Sequence, residues 1–135
     1  MVWRATRGVI LLVLLGALSG GTAGCMRTAA YQPNTQRVAE LGLPQAQQRL
    51  KDVLLRSVNP PISAVETTDA FVRVDLRSTT YQVRVFFQDV RRAEVFTNHL
   101  VVLWGAEDRI LFRPLFANAQ DATAFADLML SLQTP

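Results

Sequence analysis

An α+β fold built on an antiparallel sheet is predicted by how the hydrophobic period changes along the chain. A helical stripe runs from Pro44 to about Ser57, runs of period two follow from Ser63 to Arg113, and a second helical stripe closes the chain after Asn118. The expected architecture is a strongly bent antiparallel sheet or small barrel of about six strands, with a C-terminal helix and an extra N-terminal helix. An open antiparallel sheet with both helices on one face is the alternative. The length of 135 residues suits one domain, since domains usually run to about 100–150 residues. We place that domain at residues 37–135.

The first 24 residues follow a different logic. Arg4 and Arg7 precede the apolar run Gly8-Val9-Ile10-Leu11-Leu12-Val13-Leu14-Leu15-Gly16-Ala17-Leu18, and small residues from Ser19 to Gly24 lead up to Cys25. This is the three-part pattern of a signal peptide. As a helix the apolar run would cover roughly 16 Å, about half of a hydrocarbon core of about 30 Å. It is too short for a comfortable membrane anchor. Cys25 is the only cysteine, so an exported chain has no internal disulfide for it to join.

Thr22-Ala23-Gly24-Cys25 resembles the lipobox of bacterial lipoproteins, in which an aliphatic residue, two small residues and a cysteine close the signal. Ala23, Gly24 and Cys25 match, and Thr22 replaces the usual aliphatic side chain. The resemblance implies a diacylglyceryl group on the Cys25 thiol, cleavage after Gly24 and a further acyl chain on the new amine. Two chains then hold the protein on a membrane, because each buried CH₂ contributes about 0.8 kcal/mol. Met26 stands where an aspartate would signal inner-membrane retention, so in a cell with two membranes the expected location is the periplasmic face of the outer membrane. Residues 25–36 read as the lipidated cysteine and a flexible tether, with Met26 to Gln36 able to reach roughly 35–40 Å when extended.

Within the domain, Ala46, Leu50, Val53 and Leu54 share one helical stripe, and Pro44 suits the first turn, where its missing N–H costs nothing. Asn59-Pro60-Pro61 ends that helix. Ser63 to Thr67 is a short strand. Val72, Val74 and Leu76 then alternate with Phe71, Arg73 and Asp75. Across the loop Arg77-Ser78-Thr79-Thr80, the residues Tyr81, Val83, Val85 and Phe87 alternate with Gln82, Arg84 and Gln88, which predicts a hairpin. Ala93 to Phe96, Leu100 to Trp104 and Arg109 to Arg113 continue as a meander. Asn118 is placed to cap the last helix, whose stripe is Ala122, Phe125, Leu128, Met129 and Leu132.

From Phe87-Gln88-Asp89-Val90 through Leu100-Val101-Val102-Leu103-Trp104 and Ile110-Leu111-Phe112 to the amphipathic last helix, this order resembles the later part of pleckstrin-homology-like domains. The resemblance covers roughly residues 70–132 and implies a bent barrel plugged by that helix. It implies no phosphoinositide site, because Arg77 alone stands in the loop where the family clusters its basic residues.

Charge removes one function class. Setting Arg4 and Arg7 aside from the 14 basic residues leaves 12 against 11 acidic ones, far from the basic footprint of a nucleic-acid binder. His99 is the only histidine, and with Cys25 lipidated no zinc-type ligand set is expected. His99 with Asp89 or Glu94 could supply part of a triad on paper, but no nucleophile signature flanks them. Glu107-Asp108 reads as a solvated turn. Arg84, Arg91, Arg92 and Arg113 form a candidate anion patch, although their alternation with Asp and Glu reads as solvated surface.

Phe71 and Phe86 stand on the polar faces of otherwise clean alternations, where single aromatics mark a possible partner surface. A second core covering that face, supplied by the Pro44 helix, is the competing reading. The expectation is therefore a lipid-anchored envelope protein with a non-enzymatic binding or scaffolding domain, an accessory subunit of a membrane-associated complex, with a protein partner and no cofactor. A carrier of small apolar ligands, using a barrel interior, is the alternative.

Overall fold

The computed structural model describes residues 31–133 and begins with a helix the period had not revealed. Asn34 accepts a hydrogen bond from the Arg37 amide at 3.1 Å and so caps α1, Thr35–Leu41. Val38 is the one α1 residue that is buried. Gly42 follows with φ 81°, a left-handed conformation that glycine adopts without a Cβ penalty. It joins α1 directly to α2, Leu43–Leu55, whose buried residues Ala46, Leu50, Val53 and Leu54 are those of the predicted stripe.

Strands β1 (Ile62–Thr67), β2 (Phe71–Leu76) and β3 (Gln82–Phe86) form one antiparallel sheet in the order β1-β2-β3. Val72 pairs with Val85 and Val74 with Val65, and all four are buried in the core that also takes the buried residues of α2, which packs on β1. Strands β4 (Arg92–Val95), β5 (Val101–Trp104) and β6 (Ile110–Phe112) form a second antiparallel sheet, order β4-β5-β6. The last helix, α3 (Ala119–Ser131), packs on β4 and β5 and also touches α1 and α2. Asn118 accepts from the Asp121 amide at 2.8 Å, in the predicted capping position.

The class is α+β, but the strands form two three-stranded sheets rather than a closed barrel or a single open one. The cause lies at Phe87–Asp89. These residues make a 3₁₀ turn that drives Phe87 into the core at 2% exposure and ends the first ladder before β4 starts the second. Gln133, just past α3, donates to the carbonyls of Phe87 and Val90 and holds this turn in place. The two halves are joined a second time where Asn59 and Leu115 exchange backbone hydrogen bonds of 3.3 and 2.7 Å. Leu50, Leu54, Ile62, Phe87, Leu103, Phe116, Phe125, Leu128 and Met129 fill the space between sheets and helices.

Two details differ from the pattern reading. Tyr81, expected on the apolar face of β3, lies in the hairpin just before the strand and is 73% exposed. Residues 31–36, expected within the tether, are held against the domain by the hydrogen bonds of Tyr31 and Asn34.

Candidate partner surface and anchor clasp

The alternation of β2 and β3 sends their valines inward and leaves Phe71, Arg73 and Asp75 opposite Phe86, Arg84 and Gln82 on the outer face. Phe71 and Phe86 are direct cross-strand partners, with ring centroids 5.4 Å apart and planes at 62°, an edge-to-face contact. The Arg84 guanidinium stands 4.7 Å from the Phe71 centroid. Phe86 remains 37% exposed. The buried residues of α2 join the same core as the strand valines, on the opposite side of the sheet from these rings. Beside them Arg73 bridges Glu66 at 2.7 Å and Asp75 at 3.3 Å, so charged pairs border the aromatic patch.

The arginines expected to make an anion patch are divided between the sheets. Arg84 serves Phe71, while Arg92 lies 4.7 Å from the Trp104 ring and pairs with Asp108 at 3.4 Å and Glu94 at 3.8 Å. Glu94 in turn accepts from the Trp104 indole N–H at 2.8 Å. His99 sits half-buried in the turn before β5 with φ 75°, its amide donating to the Phe96 carbonyl at 2.9 Å. Glu107 and Asp108 lie exposed in the turn before β6, both with positive φ. Among the described residues, no three His, Cys, Asp or Glu side chains are grouped to hold a metal, and no helix is long and apolar enough to cross a membrane. Thr22, Ala23, Gly24 and Cys25 lie outside the described residues.

The feature that sequence reasoning missed is a clasp at the start of the domain. The Tyr31 amide donates to the Ala93 carbonyl at 2.8 Å, and its hydroxyl donates to Asp127 Oδ1 at 2.8 Å. The Asn34 amide donates to the same carboxylate oxygen, also at 2.8 Å. Asp127, on α3, is only 6% exposed. Burial, the hydrogen bond to Asp127 and the charge of that carboxylate push the Tyr31 hydroxyl up to about 12. The only available sequence signals were a lone aromatic before a capping asparagine and a carboxylate within an otherwise apolar helix.

Comparison with protein-family models, with curated proteins and with solved structures gave no match.

Proposed function

We propose that this chain is a lipid-anchored protein of the bacterial cell envelope whose domain binds a protein partner without catalysing a reaction. The observation that carries the binding reading is the Phe71–Phe86 pair, two aromatic rings set edge to face on the outer face of the first sheet, with Phe86 37% exposed. Aromatic side chains supply large contact area at low entropic cost, and a neighbouring arginine adds a charged contact, which is the composition of interface centres. A filled interior weighs against the carrier alternative. Phe87, Phe116 and Phe125 occupy the space a ligand would need, and the larger clefts, of about 410 Å³, open on the surface.

The anchor rests on the signal pattern and on Cys25. Mass spectrometry of the mature N-terminus tests it, with Cys25→Ser as control. Acylation of residue 25 is the expected result, and a chain that keeps its first 24 residues would refute it. For the partner, a photo-crosslinking residue at position 86 in cells should give a discrete adduct that Phe71→Asp abolishes. If the chain remains alone after crosslinking at 86, the binding reading fails.

A further inference from the structure

The clasp decides how far from an anchored Cys25 the domain can sit. Only Met26 to Ala30 separate Cys25 from Tyr31, and six residue steps span at most about 22 Å even when fully extended. That is roughly half the reach of a tether continuing to Gln36. It is also less than the width of a domain of about 100 residues, whose radius of gyration alone is about 13 Å. A domain mounted this closely cannot present all of its sides to the membrane equally. The side that carries Tyr31 stays nearest.

That side has an unusual surface. Six of the seven α1 residues are not buried. One flank of α1 borders an open, mainly apolar groove of about 410 Å³, lined by Ala39, Leu43, Ala46 and Leu132, with Leu43 46% exposed. The other flank borders a small cleft over Asp127 lined by Arg37 and Arg49. Among the described residues, neither arginine has an ion-pair partner within 4 Å, whereas Arg56, Arg73 and Arg92 do. Glu40 shares α1 with Arg37, so any attraction comes from the two guanidinium groups locally and not from a net charge of the face. Arginine heads meet lipid phosphates well, and exposed leucine suits the layer just beneath them.

We infer that α1 and its two flanking clefts form the face apposed to the bilayer, with Arg37 and Arg49 meeting lipid phosphates and the Leu43 groove meeting the boundary of the acyl region. This rests on the lipid-anchor reading above. The Phe71–Phe86 surface belongs to the sheet on which α1 does not pack, and stays available to a partner.

The test uses the full acylated protein in vesicles of phosphatidylethanolamine and phosphatidylglycerol that carry a headgroup quencher. A fluorophore is placed on Gln36→Cys beside the groove, or on Thr80→Cys in the β2–β3 turn. Stronger quenching at 36 than at 80 is expected. The difference should shrink when Arg37 and Arg49 are both changed to Glu, and also when ten Gly/Ser residues are inserted after Ala30. Equal quenching at both positions, or stronger quenching at 80, overturns the orientation while leaving the anchor intact. Dye uptake by the protein without an introduced cysteine exposes a free Cys25 thiol, and overturns the anchor together with this inference.

Discussion

Tyr31 and Asp127 meet across 96 positions of the chain, and their 2.8 Å hydrogen bond fastens the start of the domain to its last helix. The same carboxylate oxygen receives the Asn34 amide, so Asp127 serves two donors from a site only 6% exposed. Removing the phenol oxygen takes away one donor, and Asp127 keeps the other. Tyr31→Phe should therefore destabilise by about 1 kcal/mol, and Asp127→Ala, which strands both donors, by about 1–3 kcal/mol. Urea unfolding of the two variants checks the order. Equal losses would mean that the Asn34 contact contributes nothing.

The clasp also makes stability depend on alkaline pH. Tyr31 titrates at about 12 in the folded protein against an ordinary 10.0, so the unfolded chain releases this proton first as pH rises. Between pH 10 and 12 the folded state holds more of the proton, and stability falls with rising pH. The contribution is complete below pH 10 and lost as pH passes through 12. Melting temperatures of the wild type and Tyr31→Phe, followed from pH 9 to 12.5, should converge across that window. Parallel curves throughout would remove the assigned cause.

Arg56 and Asp121 pin α2 to α3 by a two-pronged contact, Nε to Oδ2 at 3.2 Å and a terminal nitrogen to Oδ1 at 3.0 Å. That bond to Asp121 holds the Arg56 guanidinium above its ordinary range, desolvation opposing the shift. The pair is asymmetric: the Arg56 side chain is 55% exposed and that of Asp121 12%. Arg56→Ala strands the nearly buried Asp121 carboxylate and should cost about 1–3 kcal/mol. Asp121→Ala should cost less, about 1 kcal/mol, because the arginine it leaves unpaired is open to solvent and the main loss is a negative charge in the first turn of α3. Arg56→Lys should fail to restore the wild type, since lysine cannot make the forked contact. Chemical denaturation of the three variants and the double alanine variant measures the coupling.

Strands β2 and β3 were legible because each buries one face. Val72 and Val74 on β2, and Val83 and Val85 on β3, each repeat at a spacing of two and pack on the core. The α2 stripe was equally plain, as was the Asn118 cap. What pattern cannot encode is pairing beyond a hairpin. Nothing in Phe87-Gln88-Asp89 announces that the chain turns there and begins a second sheet, because the turn is stabilised by Phe87 entering a distant core and by Gln133 from the C-terminus. Helix α1 was hidden for a related reason. Seven residues with Val38 alone buried give no period, and the helix depends on a cap at Asn34 and on contacts with α2 and α3. The aromatic candidates Phe71 and Phe86 were visible as exceptions to alternation; that they touch each other required the register.

That register permits a sharp separation of folding from binding. Phe125 is fully buried, its ring centroid 5.3 Å from that of Phe116 and 6.4 Å from that of Phe112. Phe125→Ala should open a cavity in the core and cost about 3–5 kcal/mol. Phe86, by contrast, is 37% exposed and has Phe71 as its cross-strand aromatic partner. Phe86→Ala should forfeit mainly that ring pair and a little area, about 0.5–1.5 kcal/mol. Both variants lose one phenyl ring, so thermal unfolding compares the two sites on equal chemistry. If Phe86→Ala is as damaging as Phe125→Ala, the outer rings belong to the structural core and are no free surface. If it folds nearly as well as the wild type yet loses the partner captured by a photo-crosslinking residue moved to position 84 on the same face, the ring is held at the surface for binding, and restoring bulk with Phe86→Tyr should recover the adduct.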